Sequence, residues 1–135
     1  MRAYALSLLL LLSSCGDAVY ELVDESDIEL GAIYTSKEEL ILIGWTGSDH
    51  TVEAPIFYGI APKPGALNRF VTSRHRMPVG LRIAIVEAQR CTNCTFGLQE
   101  RPRYKVSIVD YKLEYPVPVY VGQQTFLDNF VASDT

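Results

Sequence analysis

The chain has 135 residues, 48% of them hydrophobic and 21% charged, with a formal charge of −4 and three cysteines. That is one domain's length with room for a real core, so a single domain is the expectation. No Gly-rich phosphate loop, HExxH or GxSxG segment is present, and no cofactor motif stands out.

The chain opens Met1-Arg2 and runs apolar from Ala3 to Leu12, interrupted only by Ser7, before Ser13, Ser14, Cys15, Gly16 and Asp17. One cation, a short apolar core and small residues at a cut site make the plan of an export signal. The run is about half of the ~20 residues a helix needs to cross a bilayer, which argues against a permanent span. Leu12-Ser13-Ser14-Cys15 resembles the lipobox of bacterial lipoproteins. The resemblance implies that residues 1–14 are removed as a signal peptide. It also implies that the Cys15 sulfur carries a diacylglycerol and the new amino terminus is acylated. The mature chain would then begin with an acidic tether, residues 15–26, followed by a single β-rich domain, residues 27–135. Several acyl chains, at ~0.8 kcal/mol per buried CH₂, give a stable anchor. Gly16 stands directly after the cysteine and Asp17 one place later, so the resemblance leans towards the outer membrane, facing the periplasm, in a Gram-negative envelope.

Strand signals dominate the rest. Ile28 to Tyr34 reads as a strand, and Leu40 to Ile43 as one buried on both faces. Ser36 followed by Glu39 resembles a capping box, but the aliphatic run after it tips the segment towards a strand. Val52 to Ile60 is a further strand. Residues 61–79 read as a long connection with turns at Pro62-Lys63-Pro64-Gly65 and Met77-Pro78-Val79-Gly80, carrying a short strand near Leu67–Val71. Leu81, Ile83 and Ile85 alternate with Arg82, Ala84 and Val86. Tyr104, Val106 and Ile108 alternate with Lys105, Ser107 and Val109, and the two segments suit a hairpin across the cysteine loop. Val117, Val119 and Val121 alternate with Pro116, Pro118 and Tyr120, which places that strand at an edge because proline cannot donate to a ladder. Gln123 to Ser133 is the one helix, with Phe126, Leu127, Phe130 and Val131 on a shared face. The expected fold is mainly β: a small antiparallel β-sandwich or partly open β-barrel with a short C-terminal helix.

With Cys15 lipidated, Cys91 and Cys94 remain as an even pair in an oxidising compartment, which favours a structural disulfide. A redox site wants a helix after the first cysteine, and Thr95-Phe96-Gly97 begins none. A four-cysteine zinc site needs a second pair, so no metal site is assigned. Ser48-Asp49-His50 sets triad residue types side by side, but sequence neighbours point apart and the segment reads as a turn. His75 lies between two arginines and reads as a solvated loop residue; no catalytic residue is assigned.

Charge is unevenly placed. From Gly16 to Tyr58 ten acids stand against Lys37, and from Gly59 to Lys112 ten bases stand against Glu87, Glu100 and Asp110. Acidic and basic strands pairing across the sheet would neutralise much of this. The sharper reading is a basic binding surface formed by Arg69, Arg74, Arg76, Arg90, Arg101 and Arg103. Export and the acidic balance exclude nucleic acid. Tyr111, Tyr115 and Tyr120 are aromatics suited to a protein-binding patch where they surface near cations. The expected role is non-catalytic: a lipoprotein tethered to the membrane through Cys15, binding an envelope protein or polymer. An inhibitor or immunity lipoprotein against a toxin or hydrolase is the alternative, and an enzyme with an unrecognised site the second alternative.

Overall fold

Alternation of apolar and polar residues becomes a barrel-like sheet in the computed structural model, which describes residues 19–24, 28–46, 54–65, 70–94 and 101–133. The strands are β1 (Tyr20–Leu22), β2 (Ile33–Ser36), β3 (Leu40–Trp45), β4 (Phe57–Ala61), β5 (Val71–Met77), β6 (Arg82–Cys91), β7 (Arg103–Ile108), β8 (Val119–Gly122) and β9 (Phe130–Ala132). One short helix, α1 (Gln123–Asn129), lies near the carboxy terminus. The mainly β class with that helix is as expected.

The sheet runs β5-β3-β4-β8-β7-β6-β2-β9, and β1 adds to the other end of β6. Every pairing is antiparallel except that of β4 with β8. The two halves stay joined at a corner. β2 pairs with β6 from Thr35↔Arg82, β3 pairs with β5 from Leu40↔Met77, and the short links between them remain bonded. Ser36 N–H donates to the Leu81 carbonyl at 2.9 Å and Gly80 N–H to the Ser36 carbonyl at 3.0 Å. The strand ladder therefore bends through Ser36 and Gly80–Leu81 without losing its pairing, which curls one sheet around one core. Gly80 makes the corner possible with φ +94, a backbone state that side chains disfavour.

Inward positions of β3, β4, β6, β7 and β8 meet in a single cluster: Leu40 and Leu42, Tyr58 and Ile60, Ile83 and Ile85, Tyr104 and Val106, Val119 and Val121, with Phe126 and Phe130 closing one end. β3 is buried on both faces, as its aliphatic run foretold.

Four expectations change. β8 is not an edge strand; it lies between β4 and β7, because Pro116 and Pro118 stop short of the ladder and Val119 begins it. The long connection after residue 61 is shorter than expected, since Val71 to Met77 form β5 and place His75 on an edge strand. The helix ends at Asn129, and Phe130 to Ala132 extend to pair with β2, where main-chain bonds outcompete a further helical turn. Tyr20–Leu22, within the acidic stretch read as a tether, is strand β1 on β6.

Charge pairing fixes one end of the hairpin. Arg82 Nε donates to Asp110 Oδ1 at 3.0 Å, its Nη2 bonds the same oxygen, and the Arg82 backbone N–H reaches Oδ2 at 3.2 Å. Hydrogen bonding from the Arg82 side chain holds the Asp110 carboxyl below its ordinary value. A depressed folded value stabilises the native state above the ordinary carboxylate range, and that contribution is lost as pH falls through the folded value. The Tm advantage of wild type over Asp110→Asn is therefore expected to be full at pH 7 and to vanish as pH falls below about 4. Thermal scans from pH 7 to pH 2 check this; a pH-independent difference would refute it.

Candidate functional site

Residues alternating with the core positions build an outer face across six strands. Because Tyr104 and Val106 point inward, Arg103 and Lys105 point outward from β7. A bulge between Ile85 and Glu87 resets β6, so Glu87 and Gln89 share that face, opposite Lys105 and Arg103. Tyr120 on β8, Phe57 and Gly59 on β4 and Trp45 on β3 continue it by register.

Arg103 is the centre of this face. Its guanidinium carbon sits 3.4 Å from the Tyr20 ring centroid and 3.7 Å from that of Tyr120, so the planar cation is held between two aromatic faces. Such contacts contribute about 0.5–2 kcal/mol each, more as they are desolvated. Arg103 Nε donates to Gln89 Oε1 at 3.0 Å, and Gln89 Nε2 donates to Glu87 Oε2 at 2.9 Å. The two Nη groups have no partner among the described residues and reach solvent. Tyr120 meets the Phe57 ring edge-on at 5.8 Å, and Phe57 stacks on Trp45 at 6.3 Å. Trp45 can lie across the sheet because Gly59 has no side chain; a Cβ there would sit 3.1 Å from Trp45 Nε1. The result is an unbroken strip from Trp45 through Phe57, Tyr120 and Arg103 to Tyr20.

A groove of about 550 Å³ opens at the other end of β7, beneath residues 109–118. Tyr111, Lys112, Leu113 and Tyr115 form one wall, and Lys105 and Val86 lie across from them. Tyr58 fixes the wall from inside. Its backbone N–H donates to the Pro118 carbonyl at 2.8 Å, and its hydroxyl accepts from the backbone of Tyr115. Burial raises the Tyr58 hydroxyl above its ordinary value, so it stays a neutral pin at physiological pH. Tyr111, 45% exposed, offers ring surface at the rim. The lining combines two lysines and two tyrosines with Val86, Leu113, Pro116, Val117 and Pro118.

The residues singled out in the sequence are distributed as follows. Cys91 and Cys94 are bonded to each other. Their loop holds the start of β1: Thr92 N–H and hydroxyl donate to the Val19 carbonyl at 2.8 and 3.1 Å, and Val19 N–H donates to Asn93 Oδ1 at 2.8 Å. Arg74 and Arg76 lie together on β5, beside Glu39, Ile41, Pro62 and Pro64. Arg74 Nε donates to the Pro64 carbonyl at 3.1 Å, and Arg76 approaches Glu39 at 3.8 Å. Arg90, opposite Glu21, and Arg101 are exposed near Arg103 where β1, β6 and β7 meet. The arginines thus form two groups, one on β5 and one around Arg103. Cys15, Ser48, Asp49, His50 and Arg69 lie outside the described residues. The sequence reading missed Tyr20 as a partner for Arg103; the pairing depends on the register of β1 against β6, for which only an alternating triplet gave a signal.

Among the described residues no helix is long and apolar enough to cross a membrane, and no three His, Cys, Asp or Glu side chains converge as metal ligands would. Comparison with protein-family models, curated proteins and solved structures finds no match.

Proposed function

We propose that this chain is a membrane-anchored envelope lipoprotein whose β-domain binds another envelope component without catalysing a reaction. The observation that carries the binding role is the groove beneath residues 109–118, an apolar cleft flanked by Lys105 and Lys112 and rimmed by Tyr111 and Tyr115. Tyrosine beside cations is the composition in which interface energy concentrates. Tyr58 holds the wall in place before any ligand arrives, which reduces the ordering cost of binding. The lipobox resemblance at Leu12–Cys15 supports the anchor and the envelope location. The partner suited to the cleft is an extended segment of an envelope protein, with acidic side chains for the two lysines.

Photocrosslinking in the native host tests this. A photoreactive residue at Leu113 is expected to give one discrete protein adduct. Tyr111→Ala with Tyr115→Ala should reduce that adduct about tenfold or more, whereas Arg74→Glu with Arg76→Glu should leave it intact. No adduct, or one indifferent to the tyrosine changes, would overturn the proposal.

A further inference from the structure

We infer that the strip from Trp45 to Tyr20 lies against a phospholipid surface, with the Arg103 guanidinium holding a headgroup phosphate. The inference rests on the lipoprotein reading of Cys15. It begins from how little chain separates that residue from the folded domain.

The domain is fixed from Val19 onward by the Cys91–Cys94 loop. Five Cα steps separate Cys15 from Tyr20, and at the maximal extension per residue they span about 18 Å. Tyr20 therefore cannot rise further than that above an acylated Cys15. The gap is narrower than the roughly 30 Å diameter of a small folded domain, so no such partner fits between this end of the protein and the bilayer.

The chemistry of the strip suits the layer it would meet. Val19 and Leu22 are 55% and 71% exposed beside Tyr20. Trp45, Phe57 and Tyr120 add rings in line with them. Tyrosine and tryptophan favour the headgroup level, where one end of the ring is wet and the other apolar. Arg103 supplies what a phosphodiester needs: a planar fork, locked by two rings and by Gln89, whose free Nη donors match two phosphate oxygens. Arg101 adds positive charge next to it, while Glu87 is engaged by Gln89.

Trp45 is the only tryptophan in the chain, so its emission reports on the strip. The full acylated protein, taken from its host, is reconstituted into phosphatidylethanolamine–phosphatidylglycerol vesicles bearing bromine high on the acyl chains. Bromine is expected to quench about half of the Trp45 emission. Arg103→Glu should restore most of it, and Arg74→Glu, on the other arginine group, should not. The wild-type arm decides alone if Arg103→Glu fails to fold. Unquenched Trp45 in acylated, vesicle-bound protein would overturn the inference while leaving the anchor intact. Trp45 shielded only after envelope proteins are added would assign the strip to a protein and overturn it likewise. Protein that carries no acyl mass and does not float with vesicles would remove the lipoprotein reading itself.

Discussion

Phe126→Ala is expected to destabilise the fold by about 3–5 kcal/mol, the cost of an emptied aromatic site in a core. Phe126 is where the two ends of the chain's core meet. Its ring contacts Tyr34 edge-on at 4.9 Å and Tyr104 edge-on at 5.2 Å, and it stacks on Phe130 at 5.6 Å. Those partners belong to β2, β7 and β9, so one truncation removes contacts to three strands. The helix has no reserve against it. α1 has seven residues and no side-chain N-cap, too short to persist without docking. Urea unfolding should show the lower midpoint, and far-UV circular dichroism a loss of the helical turn. Leu127→Ala, at a neighbouring position 55% exposed, should cost about 0.5 kcal/mol or less. Equal effects at the two positions would mean that the helix does not close the core.

Ser36→Ala is expected to cost about 1–3 kcal/mol, a large effect for removing one oxygen. Ser36 Oγ accepts from the backbone N–H groups of Gly80 and Leu81, at 3.1 and 2.9 Å. Gly80 also has the Ser36 carbonyl, but Leu81, 1% exposed, would be left with a buried donor and no acceptor. The penalty falls on the corner that keeps β2–β3 and β5–β6 paired, so slower proton exchange at the corner amides should be lost with it. A lower urea midpoint with an unchanged slope is the equilibrium signature; a midpoint within error of wild type would show that water replaces the hydroxyl.

The strands legible in the sequence are those with one wet and one dry face. β7 and the first half of β6 alternate, and the two were foreseen as a hairpin. β5 was hidden because Arg74, His75 and Arg76 are all exposed at an edge, so no period-two pattern marks it. β8 was misplaced because proline speaks only for its own position, and here the ladder begins one residue after Pro118. The bonded Cys91–Cys94 pair was legible from parity. The aromatic clasp on Arg103 was not, because Tyr20 and Tyr120 come from opposite ends of the chain and meet only through the registers of four strands.

The position of β8 has a consequence during synthesis. β8 inserts between β4 and β7, and its parallel contact with β4 spans three intervening strands in the chain. Until Val119 to Gly122 have left the ribosome, β4 and β7 each lack a neighbour, and the core lacks Val119, Val121 and Phe126. Non-local closure of this kind is slow. The sheet and its core therefore close only once β8 and the helix after it are available, so strands made earlier wait for a partner made late.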